Sequence, residues 1–251
     1  MPVANDVLFF GGTTRPSTTN DIAANTQFNG ITFTGAGQFT LAGNAINLGG
    51  NITNSSGVNQ TISLALALLQ NTTVDAGSAG TLALNGLVSG TGFSIDKNGA
   101  GTLSLGNVAN TFSGGLRINN GTVALGAVSG ADTAGGTGTI TLGSSGGSES
   151  VTLQASQGTF TNAITVTAGT GTRTIGNTSG AKGITLNGTL ALSNDLTLTE
   201  GSGGASILIG GDISPAAIRS PSKGEPLAKG SCLVAQLQPV LRERSVLPAG
   251  A

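Results

Sequence analysis

The side chains that carry most enzyme chemistry are rare in this chain of 251 residues. It has no His, no Trp, no Tyr and one Cys, and only 8% of its residues are charged. Without His, the sequence excludes a Ser–His–Asp triad, a Cys–His pair, a His metal site and a His general base. A single Cys forms neither an internal disulfide nor a Cys-cluster zinc site.

The 11 carboxylates are thinly spread along the chain. Asp195 and Glu200 lie five residues apart, so a straight strand places them on opposite faces. Asp96 and Lys97 are adjacent and also point in opposite directions. Residues 143–147 fit G-x-S-x-G, but no His or helix pattern accompanies them, so we interpret them as a Gly/Ser corner. We predict no catalytic, cofactor-binding or metal-binding residues, no cofactor, and no enzyme activity.

The charge balance and hydropathy limit the partners of the chain. A formal net charge of −1 argues against nucleic-acid binding, which needs a basic face. The longest apolar run, residues 64–69, is far shorter than the roughly 20 residues that span a bilayer, so we expect no membrane insertion by this segment. Residues 1–6 have no basic or apolar signal region. We therefore see no signal peptide and expect the chain to begin partway through a longer one.

The composition divides the chain into two parts. Residues 1–212 contain 40 of the 43 Gly and every Asn and Thr, and they predict one β-rich domain. Residues 213–251 contain five of the seven Pro and the single Cys, Cys232, and they carry five basic and two acidic side chains. Proline at this spacing interrupts sheets and long helices. We predict an irregular, disordered tail, or a tail foreign to the domain, with residues 231–238 as its one candidate helix.

A short unit recurs through the first part. It consists of Gly-Thr, then apolar–x–apolar, then Gly or Asn, as in GTLALNG at 80–86, GTLSLGN at 101–107, GTVALGA at 121–127, GTITLGS at 138–144 and GITLNG at 183–188. The apolar–x–apolar run has the period of a strand with one buried face, and Gly and Asn suit tight corners. The first part is therefore predicted to be all-β.

A β-sandwich and a β-solenoid both fit short strands at this spacing, and three observations favour the solenoid. The first three units start 21 and 20 residues apart, which suits one coil of two or three strands. Charges are rare, as expected where like side chains would stack about 4.8 Å apart in a ladder. Trp and Tyr are absent, although sandwich cores often contain a large aromatic residue. About ten coils would give a rod roughly 50 Å long.

Residues 99–126, GAGTLSLGNVANTFSGGLRINNGTVALG, resemble the autotransporter-associated β-strand repeat of bacterial passenger domains. Asn110, Thr111, Gly114 and Gly115 occupy the family's middle positions, and Phe112 replaces the usual Tyr. The resemblance implies a right-handed parallel β-helix that is exported across a bacterial envelope. It covers about four fifths of the chain and ends near residue 213.

The resemblance also implies a role. We expect a structural or interaction module, a β-helical stalk fragment of a secreted or surface-displayed autotransporter-like protein that is associated with the outer membrane and adheres to surfaces or polysaccharide. The alternative is a fragment of a β-helical carbohydrate-active enzyme whose catalytic loops lie elsewhere. A cluster of Asp, Arg and Lys on one face would favour that alternative. Since an open coil exposes unpaired backbone groups, we also expect end-to-end self-association.

Overall fold

The computed structural model describes residues 1–13, 17–77, 79–201 and 205–214. These residues form short strands and turns, and no α-helix occurs among them. The strands form three sheets, A, B and C, of twelve, nine and three strands. All the strand pairings in the described part of the chain are parallel. This arrangement confirms the predicted all-β parallel β-helix.

Each sheet collects strands from successive turns of the chain, and two of the turns contribute two short strands each to sheet A. The strands of sheet A are β1 (Val7–Phe10), β3 (Thr26–Phe33), β5 (Ile46–Asn54), β7 (Leu66–Leu68), β8 (Thr72–Ala76), β10 (Val88–Ser89), β11 (Ile95–Asn98), β13 (Leu116–Ile118), β15 (Ile140–Leu142), β18 (Ile164–Val166), β21 (Leu190–Leu192) and β24 (Ile213–Ser214). The strands of sheet B are β2 (Ser17–Asn20), β4 (Thr40–Gly43), β6 (Gln60–Ile62), β9 (Thr81–Leu84), β12 (Thr102–Leu105), β14 (Gly121–Leu125), β16 (Val151–Ala155), β19 (Arg173–Asn177) and β22 (Thr197–Thr199). The strands of sheet C are β17 (Gly158–Phe160), β20 (Ile184–Leu186) and β23 (Ile207–Ile209).

One coil of the solenoid takes 20 to 26 residues when it is measured between paired residues along the main path of sheet A. In sheet B most steps are similar, but the step from Val123 to Leu153 is 30 residues long. The extra residues lie in the connections between β14 and β16. The nine strands of sheet B correspond to about nine turns.

Side chains alternate between the interior and the surface along the strands. In sheet A one inward column contains, from coil to coil, Ile31, Ile52, Val74, Lys97, Ile118, Leu142, Val166 and Leu192. In sheet B the facing column contains Leu82, Leu103, Val123, Leu153, Ile175 and Leu198. These aliphatic columns meet inside the coil and form one continuous core. The apolar–x–apolar runs form strands because every second side chain enters that core.

The recurring sequence unit does not always occupy the same place in the coil. The Gly-Thr units that start at residues 80, 101 and 121 lead into β9, β12 and β14 of sheet B. The unit at 138–144 instead contains β15 of sheet A, and the unit at 183–188 contains β20 of sheet C. The same local pattern therefore encodes a strand but does not specify which sheet the strand joins.

The described part ends just beyond the predicted domain boundary at residue 212. Ile213 and Ser214 form β24 and pair with Leu190 and Ala191, so the sheet continues two residues past that position. The rest of the predicted tail, residues 215–251, lies outside the described residues. The predicted helix at 231–238 falls there too. The division into two domains remains a prediction.

Candidate functional site

The residues that the sequence singled out for chemistry do not converge on one site. Residues 143–147 lie in the connection between β15 and β16, as expected for a Gly/Ser corner. Asp96 lies on the outer face of sheet A, whereas the side chain of Lys97 is fully buried, so the two point in opposite directions as predicted. Asp195 lies before β22 and Glu200 follows it, where the Glu200 carboxylate accepts a hydrogen bond of 3.0 Å from the Ile207 amide.

One ion pair lies on the surface of sheet A. Arg117 stands opposite Asp96 on the neighbouring strand, and its Nη1 lies 3.1 Å from Asp96 Oδ1 and 2.9 Å from Ser94 Oγ. The two side chains are 48% and 27% exposed, which is the setting of a weak surface ion pair. Because Arg117 engages the carboxylate of Asp96, this pair fits a cross-strand contact better than a reactive acid.

Lys97 replaces an aliphatic residue in the inward column of sheet A. Its stem lies between Val74 and Ile118, and its ammonium group donates to the backbone oxygens of Asn98, Gly99 and Asn120 at 2.8, 2.6 and 3.0 Å. Burial lowers the pKa of Lys97 from 10.5 to about 8, and the nearby negative charge of Asp75 opposes that shift. The lysine thus donates hydrogen bonds to backbone oxygens at the end of β11 and in the corners that follow β11 and β13.

Sheet B presents a ladder of hydroxyl groups that the sequence analysis missed. Its members pair directly from strand to strand along β9, β12, β14, β16, β19 and β22 and are Thr81, Thr102, Thr122, Thr152, Thr174 and Thr197. Successive members lie 20 to 30 positions apart in sequence, so no constant interval shows the ladder. The sequence does contain one signal of the ladder, since the first three repeat units each begin with Gly-Thr and these threonines are its first three members.

A polar groove runs beside sheet C and is the best candidate for a binding site in the described residues. It has a volume of about 310 Å³, and its lining consists of Ser129, Gly130, Gln157, Gly158, Thr159, Lys182, Gly183 and Thr185. Thr159 and Thr185 are paired neighbours on β17 and β20, so the sheet fixes their relative positions. Concave sites with a few convergent polar groups are the usual places for small ligands.

Two buried acceptor atoms lie in or against the wall of this groove. Gln157 Oε1 is buried without a hydrogen-bond partner, and so is Oδ2 of Asp132, a residue that packs against Gly158. The other oxygen of Asp132 accepts a 2.7 Å hydrogen bond from the Ala134 amide. Burial raises the pKa of Asp132, although hydrogen bonds from the backbone at Ala134 and Val128 act in the opposite direction.

The groove offers hydrogen bonding rather than a familiar catalytic arrangement. Glycosidases place two carboxylates across the bond they cleave, whereas the residues described in this groove supply hydroxyls, one amide and one ammonium group, with Asp132 behind Gly158. Across the described part of the chain, no group of three or more Asp, Glu, Cys or His side chains is arranged to hold a metal ion. Nor do the described residues include a helix long and apolar enough to cross a bilayer.

Comparison with known families identifies the segment that begins with β11 and ends with β14. Residues 95–125 match the family described as Passenger-associated-transport-repeat. The chain carries an autotransporter passenger repeat. No curated protein and no solved structure gave a match to the chain.

The passenger repeat corresponds to a defined structural unit. It contains two strands of sheet A and two of sheet B, so the pairings β11–β13 and β12–β14 both lie within it. Between them, Asn110 accepts a 2.8 Å hydrogen bond from the Val88 amide of one coil and donates another of 2.8 Å to the Ala134 oxygen of the other. Phe112 is fully buried, as a residue at a packing position should be. The repeat therefore builds one coil and its contact with the next.

Proposed function

We propose that the chain is a stalk segment of a secreted or surface-displayed passenger and that it acts through its geometry. The observation that supports this most directly is the passenger repeat within an uninterrupted parallel ladder of about nine turns. Stacked coils hold distal parts of a protein at a distance and present extended surfaces. Passenger repeats belong in general to secreted or surface-displayed proteins.

The stalk role is tested by placing residues 1–214 between an export signal and an outer-membrane translocator barrel. We expect antibodies to label the segment on intact cells and added protease to leave it uncut, because a folded solenoid offers few flexible sites. A matched variant, Gly121→Asp, puts a charged side chain where even a β-carbon would lie 2.6 Å from the Gly101 oxygen of the preceding coil, and it should become protease-sensitive. Retention of the unaltered segment inside the cell, or its rapid digestion at the surface, would contradict the proposal.

We further propose that the stalk is adhesive and that the groove beside sheet C contacts polysaccharide. Hydroxyl, amide and ammonium groups such as those of Thr159, Gln157 and Lys182 match the hydrogen-bonding groups of a sugar. A ligand hydroxyl would donate a hydrogen bond to Gln157 Oε1, which is buried without a partner among the described residues. Forming that missing hydrogen bond favours binding.

Adhesion is tested by binding of the purified chain to an array of bacterial and host polysaccharides. We expect Lys182→Ala and Thr185→Arg to weaken binding, because the first removes a donor and the second fills the groove. Thr102→Ala on sheet B is the matched control and should bind like the unaltered chain. Equal binding by all four proteins, or no binding to any polysaccharide, would rule out the groove while leaving the stalk role intact.

A further inference from the structure

Arg173 is a buried cation inside the solenoid wall. It is the first residue of β19, and the same column contains Val151 of β16 one coil earlier and Gly121 of β14 two coils earlier. Only 1% of Arg173 is exposed, and it is the largest fully buried side chain among the described residues. In the part of the chain that the structure describes, the one ion pair joins Arg117 to Asp96, so Arg173 has no carboxylate partner there.

One nitrogen of the Arg173 guanidinium group is fully engaged. Nη1 donates to the backbone oxygens of Glu149 and Gly171 at 2.9 and 2.8 Å, and a third contact to the oxygen of Thr172 is 3.4 Å long. These carbonyls belong to the corners that connect sheet A to sheet B. The backbone therefore fixes the orientation of the guanidinium plane.

The opposite edge of the same group is unpaired. Nε and Nη2 are buried, and neither has a hydrogen-bond partner among the described residues. These two nitrogens point the same way and form the side-on fork with which arginine binds a phosphate, sulfate or carboxylate through two parallel hydrogen bonds. Burying such donors without partners is costly, and a bound anion would supply both the acceptors and the missing negative charge.

Glycines surround this unpaired edge. The backbones of Gly143 and Gly169 lie so close that a β-carbon on either would overlap the guanidinium group. The two corners involved, residues 143–150 and 167–172, are the longest connections that run from a strand of sheet A to the next strand of sheet B in the described coils that contain strands β8 to β22. They are joined by hydrogen bonds from Gly146 to the Ala168 oxygen and from Thr170 to the Gly147 oxygen, at 2.8 and 3.0 Å.

The outer side of the first corner faces solvent. Ser144, Ser145 and Gly146 are exposed, so solvent lies on the outer side of the corner that covers the fork. The site therefore combines a fixed cation, a small-residue wall and a surface corner that would have to move outward before a ligand reached the fork.

We propose that the Nε–Nη2 edge of Arg173 is a binding site for an oxyanion, a phosphate or sulfate group that enters beneath the 143–150 corner. The group is either a free ion or a substituent of an anionic polymer, because both present the same pair of acceptor oxygens. Its binding joins the two long corners through one shared contact. The proposal does not depend on the stalk or adhesion proposals, since it concerns a site on another side of the coil.

Thermal unfolding of the full chain in sodium phosphate, sodium sulfate and sodium chloride at matched ionic strength tests the site. We expect a saturable rise of Tm in phosphate or sulfate relative to chloride for the unaltered chain and for Arg117→Gln. Arg173→Gln should lose the saturable part and keep only the gradual salt effect. If Arg173→Gln and the unaltered chain respond equally, the proposal is wrong.

A second measurement does not depend on the variant folding. In the unaltered chain labelled with nitrogen-15, the Nε–H resonance of one arginine should shift during a phosphate titration with the affinity that unfolding reports. Dextran sulfate replaces phosphate in a parallel titration, and tighter binding than inorganic sulfate assigns the group to a polymer. If no arginine resonance shifts, the fork binds no anion. If a resonance shifts only in Glu149→Gln, the Glu149 carboxylate occupies the fork in the unaltered chain. Either result overturns the proposal.

Discussion

At the scale of single residues, the buried charges of Lys97, Asp132 and Arg173 are the least expected part of the molecule. A stacked coil disfavours charge, because each side chain lies about 4.8 Å from its equivalents above and below. Lys97 and Arg173 avoid that repulsion because they stand in columns whose other members are uncharged. Both cations donate hydrogen bonds to backbone oxygens in or next to the corners between sheets A and B. Long cationic side chains can thus replace the strand hydrogen bonds that corners lose.

The depressed pKa of Lys97 predicts a dependence of stability on pH. Its folded pKa is about 8 and its ordinary value is 10.5, so between these values the unfolded chain binds more protons than the folded one. The free energy of unfolding should therefore rise by roughly 3 kcal/mol between pH 7.5 and 10.5, and this gain is lost as the pH falls through 8. Denaturant unfolding at several pH values measures it.

The chain suits this experiment because it has no His and no Tyr to titrate nearby. In Lys97→Met the rise should disappear, since the buried amine is gone. Lys182→Met, which removes an exposed lysine, should keep the full rise. A flat profile in the unaltered chain, or an equal rise in Lys97→Met, would show that Lys97 is not the group responsible.

At the scale of elements, Asn110 connects three successive coils. It accepts from the Val88 amide and donates to the Ala134 oxygen, both at 2.8 Å, and it is fully buried. Asn110→Ala leaves a buried donor and a buried acceptor unpaired, which should cost about 2–4 kcal/mol of unfolding free energy. Denaturant unfolding compares it with Asn107→Ala, which removes only a local 2.9 Å hydrogen bond to the Ala109 amide. A similar cost for the two variants would mean that Asn110 does not link the coils.

Close contact between coil corners gives a second prediction at this scale. Gly121 and Gly92 have nearly the same left-handed backbone, with φ of 72° and 79°. A β-carbon on Gly121 would lie 2.6 Å from the Gly101 oxygen, whereas one on Gly92 meets nothing within 4 Å. Gly121→Ala should therefore lower the free energy of unfolding by at least about 2 kcal/mol more than Gly92→Ala. Both substitutions strain a left-handed backbone, but only Gly121→Ala also forces a β-carbon against the neighbouring coil. Equal thermal stability of the two variants would refute this contact.

The elements also show how far the sequence alone could go. The apolar–x–apolar runs at residues 82–84 and 103–105 correctly predict strands and the inward face, because a period of two depends only on local geometry. The same runs cannot predict sheet membership, because similar runs lie in sheet A at 140–142, in sheet B at 82–84 and in sheet C at 184–186. Nor do the runs predict the length of a coil. The 30-residue step from Val123 to Leu153 is an example, since both residues lie in ordinary strands of sheet B.

The groove and the buried cations escaped prediction for a related reason. Gln157, Lys182 and Asp132 are scattered through the sequence and meet only because their connections stack beside sheet C. Arg173 precedes Thr174 at a place where earlier units have Gly before Thr, as in Gly121 and Thr122. That exchange of Gly for Arg in one column is visible in the sequence once the register is known.

At the scale of the whole molecule, the first coil leaves strand edges open. In the described part of the chain, β1 pairs only with β3 and β2 only with β4. Phe9 and Val7 on β1 are 72% and 41% exposed. Exposed edges of this kind invite pairing with another chain. We expect the chain of residues 1–251 to associate end to end in a concentration-dependent way.

Sedimentation velocity over a range of concentrations measures this association. Phe9→Lys should reduce it, because an edge charge opposes stacking of another coil. Leu69→Lys introduces the same charge at an exposed apolar residue in the middle of the stack, away from both open ends, and should associate like the unaltered chain. A monomer at every concentration, or equal association of both variants, would contradict the prediction.

The central claim, a solenoid in which residues far apart in sequence stack in register, is tested most directly by spin-label distances along the threonine ladder. Cys232 is replaced by Ser, and labels are attached through cysteines at Thr81 and, in separate samples, at Thr152, Thr174 or Thr197. These partners stand three, four and five coils away, so the backbone separations should be about 14, 19 and 24 Å. Distances that increase by about one strand spacing per coil would support the account, and distances much longer than these, or without this regular increase, would contradict it.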